Sequence, residues 1–180
     1  MAFQEVGFLP VAGLSRPAAE ELVAHASAHL AVPCRLLEAP AGLALVRVPG
    51  RDQIDADRLL GAIEALDNPE GRALVGLTDR DLAIPIFTFV FGRARVGGHA
   101  AVVSLARLRP EHYGRPPDPA LTARRATAEI LHELGYVAGL GHCQDFQCLM
   151  RFSTDVEAAD LRPMALCPAC AVQSGRLISG

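Results

Sequence analysis

Residues 132–150 read HELGYVAGLGHCQDFQCLM and join the end of a long helix to a run of metal-binding residue types. Upstream, Leu121, Ile130, Leu131, Leu134 and Val137 recur at helical spacing, so a helix is expected from about Ala120 to Val137. Side chains four apart share a helix face, which brings positions 132 and 136 to one point. Gly139 lets the chain leave the helix through a left-handed turn. That turn returns His142 toward the same point from a different direction.

This spacing matches four of the five defining positions of the zinc-binding pattern His-Glu-x-x-His-x-x-Gly-x-x-His: His132, Glu133, Gly139 and His142. Three protein ligands leave a coordination position open for water, the mark of a catalytic zinc. Glu133 is placed to take a proton from the zinc-bound water and pass it to the departing amine. The fifth position is Tyr136. A phenol has a reference pKa of about 10 and must lose its proton to bind zinc. Its oxygen also reaches about 2 Å beyond a histidine Nε2, roughly one coordination bond. Four readings stay open. Tyr136, or a water in its place, completes an altered zinc site; His99 or His112 completes it; hydrolysis is lost and a silent scaffold remains; or Tyr136 is a variant of a standard enzyme.

Of five cysteines, Cys34 stands alone and is expected as a small buried hydrophobe. Cys143 and Cys148 are separated by four residues, and Cys167 and Cys170 by Pro-Ala after an 18-residue gap. That spacing fits a closed tetrahedral zinc with four thiolate ligands. In a reducing compartment it reads as a metal site rather than two disulfides. The segment from Cys143 onward is too short to bury a core of its own, so metal has to hold it.

The string from His132 to Met150, with its downstream CPAC, resembles the signature of the archaemetzincins, a family of zinc metallopeptidases within the metzincin clan. Upstream, ALVGLTDRDLAIPIFTFVFGRARVGGHAAVVSLARL and RPEHYGRPPD resemble that family's strands and pre-helix loop. The resemblance is firm from Ala73 to Cys170. It implies a compact metzincin-like α/β (α+β) single domain, with a twisted mixed sheet, backing helices and a long zinc-binding helix. Residues 1–138 would form the sheet and active-site helix, and residues 139–180 the Met-turn and the four-cysteine zinc site. Carried over by position, the resemblance implies His132 and His142 as ligands of a catalytic zinc, with Tyr136 at the remaining ligand position. Glu133 would be the general base, and Cys143, Cys148, Cys167 and Cys170 would hold a structural zinc. Met150 would pack beneath the catalytic metal, and His99 to Leu105 would lie near the edge strand that pairs with an extended substrate. The implied activity is hydrolysis of peptide bonds. Tyr136 motivates the alternative, a silent pseudo-peptidase that binds peptides or regulates.

Composition bounds the rest. With 180 residues and 19.1 kDa the chain has the size of one domain. A hydrophobic fraction of 51% and a mean hydropathy of +0.24 exclude a disordered chain. The most apolar stretch, Leu82 to Gly92, is far shorter than the ~20 residues a membrane span needs. The opening MAFQEVGFLP has no basic flank before an apolar run, so a cytoplasmic protein without a signal peptide is expected. Net charge is −3 and every basic residue is arginine. Residues 93–125 hold seven arginines against Glu111 and Asp118. A nucleic-acid surface would need a more basic chain with interleaved aromatics, so a solvated face is expected. The expected partner is a peptide or protein substrate, not nucleic acid or membrane, with a monomer as default.

Expected elements before the long helix are a strand over Phe3–Phe8 and a helix capped by Ser15 running to about Leu30. A hairpin of Cys34–Leu37 and Leu43–Val48 follows, around Pro40-Ala41-Gly42, then a helix over Asp55–Leu66. Three strands come next, Arg72–Leu77, Ile84–Phe91 and His99–Leu105, in one sheet backed by the two helices. Between the cysteine pairs a short helix is expected, with Ser153 or Thr154 as its cap.

Overall fold

The computed structural model describes residues 3–38, 42–68, 70–175 and 177–178. Five strands form one sheet: β1 (Val6–Val11), β2 (Cys34–Leu36), β4 (Ala73–Thr78), β6 (Gly92–Ala94) and β7 (Ala100–Ser104). Their order is β2-β1-β4-β7-β6. β1, β2, β4 and β7 run parallel, and β6 closes one edge antiparallel to β7. β3 (Ile54–Asp55) and β5 (Leu82–Ala83) make a separate parallel pair.

Helices cover both faces, which is why β4 and β7 are buried at every position instead of alternating. Val6, Phe8, Val75, Leu77, Ala101 and Val103 pack with α1 (Arg16–Ser27) and α3 (Pro119–Val137). Leu9, Val11, Leu74, Ala100 and Val102 face the other way, onto Leu59, Leu60 and Ile63 of α2 (Ala56–Glu64). The two-residue period of a strand assigns these sets. Local chemistry starts each helix. Ser15 accepts from the Ala18 N–H and Asp55 from that of Arg58, while Asp118 accepts from that of Leu121 at 2.9 Å with Pro119 in the first turn.

Several expectations fail for tertiary reasons. The first strand is shifted to Val6–Val11. The hairpin does not form: Cys34–Leu36 pairs in parallel with β1, and residues 43–48 contribute only a bridge from Arg47 to Ile54. Pro40 and Ala41 lie outside the described residues. Ile84–Phe91 forms turns and a single bridge from Val90 to Leu82 instead of a strand, and its side chains serve a cleft described below. The strand within His99–Leu105 does lie beside the edge strand as expected: the edge is β6, and β7 is its interior neighbour. The two early helices do back the sheet as expected, α1 on one face and α2 on the other. Asp155 rather than Ser153 or Thr154 caps α4 (Val156–Asp160), by accepting from the Ala158 N–H at 2.7 Å.

The arginine-rich segment is accounted for by pairing. Arg93 meets Asp57, Arg95 meets Glu64, Arg107 meets Asp81 and Arg109 meets Asp79. Arg115 meets Glu157, and Arg124 and Arg125 share Asp160. No helix among the described residues is long and apolar enough to cross a membrane.

Candidate active site and four-cysteine centre

The second half of α3 is packed between the sheet and the segment that follows it, which buries His132 and Glu133. The Nδ1–H of His132 donates to the Leu149 carbonyl at 3.0 Å. That bond fixes the tautomer and leaves Nε2 as the free nitrogen, the form a metal requires. Burial holds the ring neutral, pulling its pKa down to about 4.

Helix α3 stops at Val137, and Gly139 at φ +88° turns the chain back. This brings three rings together. His132 and His142 lie 5.9 Å apart by ring centroid, Tyr136 and His132 5.0 Å, and Tyr136 and His142 5.5 Å. The Tyr136 hydroxyl and His142 Nε2 are hydrogen-bonded to each other. Burial, reinforced by Glu133 and Glu129, raises the phenol's pKa. The cluster thus offers two imidazoles, with an oxygen where the third nitrogen of the pattern is expected. Neither His99 nor His112 completes it. His99 Nε2 is 3.2 Å from the Glu64 carbonyl and His112 lies against Tyr113 in a 3₁₀ turn, both away from the cleft.

The Glu133 carboxyl sits beneath the edge strand. A Cβ on Gly92 would stand 2.7 Å from Glu133 Cγ, so only glycine lets β6 come this close. Glu133 Oε2 is buried without a hydrogen-bond partner. Burial, with Glu129 adding to it, pushes its carboxyl well above the usual range.

Sequence reading missed Glu129 and Arg162, which form a buried ion pair along the same cleft. Burial pushes the Glu129 carboxyl up, but the adjacent Arg162 guanidinium outweighs this and holds it below the usual range. Glu129 was findable, because it lies one helical turn before Glu133. Arg162 reaches it only through the fold. The cleft itself is about 450 Å³, bounded by Phe87, Phe89 and Phe91 on one side and by Phe152 and Ser153 on the other.

The four cysteines predicted as ligands do come together. The sulfurs of Cys143, Cys148, Cys167 and Cys170 all lie within 4.8 Å of one another. Cys143 and Cys167 are 3.9 Å apart, close to the ~3.8 Å edge of a tetrahedron with ~2.3 Å zinc–sulfur bonds. Backbone N–H groups of Asp145 and Cys167 donate to the sulfurs of Cys143 and Cys148, each at 3.4 Å. The donor set fits a zinc ion. Cys34 is half-buried, and its S–H faces the Val32 carbonyl. Met150 is fully buried against α3, where a Cβ on Gly135 would stand 2.3 Å from its Sδ.

The family model of "Peptidase family M54" matches residues 51–176. An archaemetzincin of Pyrococcus horikoshii is 46% identical over 99 residues, covering 55% of this chain and 53% of that protein. The chain therefore spans about half the length of that curated relative. Among solved structures, archaemetzincin from Archaeoglobus fulgidus complexed with malonate superposes with a TM-score of 0.78 at 28% identity. That match covers 94% of this chain and 99% of the other. A zinc-dependent peptidase from Methanocorpusculum labreanum matches with a TM-score of 0.75 at 28% identity, over 94% of this chain and 99% of that one.

Proposed function

The chain belongs to peptidase family M54, the archaemetzincins, and from that premise we propose that it hydrolyses peptide bonds with Glu133 as general base. The observation that carries this reading is the Glu133 carboxyl, buried with a free oxygen beside a His132 whose Nε2 is turned to the cleft. His132 and His142 would hold a catalytic zinc, with Tyr136 as the third group. When bound, the ion supplies Lewis acidity, polarising the scissile carbonyl and lowering the pKa of water. Glu133, with no protein partner on Oε2, accepts the proton that water gives up and returns it to the leaving amine. An extended peptide would pair with the free side of β6, whose Gly92 lies directly over Glu133. The four cysteines would hold a second, structural zinc, which suits a reducing compartment such as the cytoplasm. Residues 1–180 would act as one domain.

One observation favours a second reading. The Tyr136 hydroxyl already satisfies His142 Nε2, the nitrogen a metal would take. On this reading the protein keeps the four-cysteine zinc and binds peptides without cutting them. Zinc per chain, measured beside Tyr136→His, separates the two. Two ions in the wild type, with peptide cleavage abolished by Glu133→Gln, is the result expected of a peptidase. One ion in the wild type and two in Tyr136→His would establish the silent scaffold.

A further inference from the structure

Four buried side-chain atoms lack a hydrogen-bond partner among the described residues, and three belong to residues that line the cleft. These are Glu133 Oε2, Ser153 Oγ and Arg162 Nε; the fourth, Thr127 Oγ1, lies on α3 outside it. Leaving a buried polar atom unpaired costs free energy, so such atoms mark places that a ligand completes. The base role accounts for the Glu133 oxygen. The remaining two ask for an acceptor: Arg162 Nε–H can only donate, and the Ser153 hydroxyl can turn its proton toward the same occupant.

A guanidinium donor makes its strongest hydrogen bonds to an anionic acceptor. The charged residues that line the cleft, Arg93, Arg162, Glu129 and Glu133, balance in sign, so the wall sets no net charge against an anion. The Arg162 side chain is 2% exposed and makes one hydrogen bond among the described residues, from Nη2 to Glu129. Much of the remaining wall is aromatic, from Phe87, Phe89, Phe91 and Phe152, and Arg162 itself is buried, so an ionic hydrogen bond formed to it is screened less than one at the surface.

We propose that Arg162 and Ser153 form a subsite for a carboxylate of the peptide substrate, borne by an acidic side chain or by the peptide's C-terminus. The subsite rests on the reading of the cleft as a peptide site. A carboxylate accepts from both donors. An amide in the same place can accept from Arg162 with its oxygen and donate its NH₂ to the Ser153 hydroxyl, so what it loses is the charge assistance of the guanidinium–carboxylate bond.

The chain contains no tryptophan, so tryptophan-bearing peptides can be titrated by fluorescence against a silent background. Glu133→Gln protein keeps the probes from being consumed. Three hexapeptides serve: one with an internal Glu and an amidated end, one with Gln there and a free C-terminus, and one with Gln and an amidated end. One of the two carboxylate probes is expected to bind about 10-fold tighter than the neutral peptide, and which one it is identifies the carboxylate's source. Arg162→Met alone would strand Glu129, so the decisive variant is Arg162→Met with Glu129→Gln. It should erase the preference, and the milder Ser153→Ala should reduce it. Equal binding of all three peptides, or a preference that survives the double variant, overturns the subsite while leaving a peptide cleft. Binding of none of them overturns the peptide reading itself, and the subsite with it.

Discussion

His132 and Leu149 meet through a 3.0 Å hydrogen bond from the imidazole Nδ1–H to the main-chain carbonyl. Leu149 stands between Cys148, a member of the sulfur cluster, and Met150, which packs under α3. His142 is joined directly to Cys143. Both imidazoles of the candidate site are therefore oriented by chain that the four cysteines gather. Further along the same segment, Asp160 and Arg162 clamp Arg125 and Glu129 of α3. What holds the sulfurs together also holds α3 against its neighbours.

Removing one sulfur should loosen both sites. Cys148→Ser is expected to lose the structural zinc and at least ~3 kcal/mol of stability, about 10 °C in Tm. Zinc content and thermal unfolding measure it. A variant that melts like the wild type without its zinc would show that packing alone holds residues 143–170.

Gly135→Ala tests the contact beneath the helix. The new methyl would stand 2.3 Å from Met150 Sδ, and the methionine has no exposed direction in which to yield. Overpacking of this kind costs about 1–3 kcal/mol. Placing the same alanine beside Met150→Ala should cost less than the sum of the two single changes. Additive losses in denaturant unfolding would mean that the residues do not press on each other.

The legible parts of this molecule are those specified by local chemistry. Ser15 announces one helix, the apolar spacing from Leu121 to Val137 another, and cysteine spacing a cluster, because caps, periodicity and ligand geometry act within a few residues. The run from Ile84 to Phe91 misleads for a physical reason. Its apolar residues look like a buried strand, yet Phe87, Phe89 and Phe91 line a cleft, and only Leu82–Ala83 and Gly92–Ala94 pair as strands. Arg162 was invisible because its partner, Glu129, lies 33 residues away in sequence. The meeting of Tyr136 with His142 was half legible. The long reach of the phenol was expected to disturb a metal site, but its choice of His142 Nε2 depends on the turn at Gly139.

The Glu129–Arg162 pair should behave as a buried unit. Arg162→Met leaves Glu129 charged and uncompensated, which is expected to cost about 3–5 kcal/mol. Adding Glu129→Gln removes that stranded charge, so the double variant should recover most of the loss. Urea unfolding of the two single variants and the double measures the coupling. A double variant less stable than Arg162→Met would show that the pair contributes more through shape than through charge.

Glu133→Gln should separate catalysis from stability through pH. The folded-state pKa of Glu133 lies well above its ordinary value, because burial and Glu129 penalise the charged form. Below the unfolded-chain pKa, about 4.5, both states are protonated and the side chain has no influence on the pH dependence. As pH rises, the unfolded chain releases its proton while the folded protein keeps it, so the wild type loses stability with increasing pH. Glutamine has no proton to release, and its amide can donate to Glu129. In protein whose cleft is free of metal, the two should therefore melt nearly together at pH 4. At pH 8 Glu133→Gln should be more stable, by about 1.4 kcal/mol for each pH unit over which the unfolded wild type has lost the proton that its folded state keeps. Thermal unfolding at both pH values measures this, and peptide cleavage should be lost in the variant at every pH. A stability gap that does not change between pH 4 and pH 8 would mean that Glu133 ionises as freely in the fold as in water. The cleft would then be a wet surface groove instead of the protected pocket that its buried, unpartnered oxygen implies.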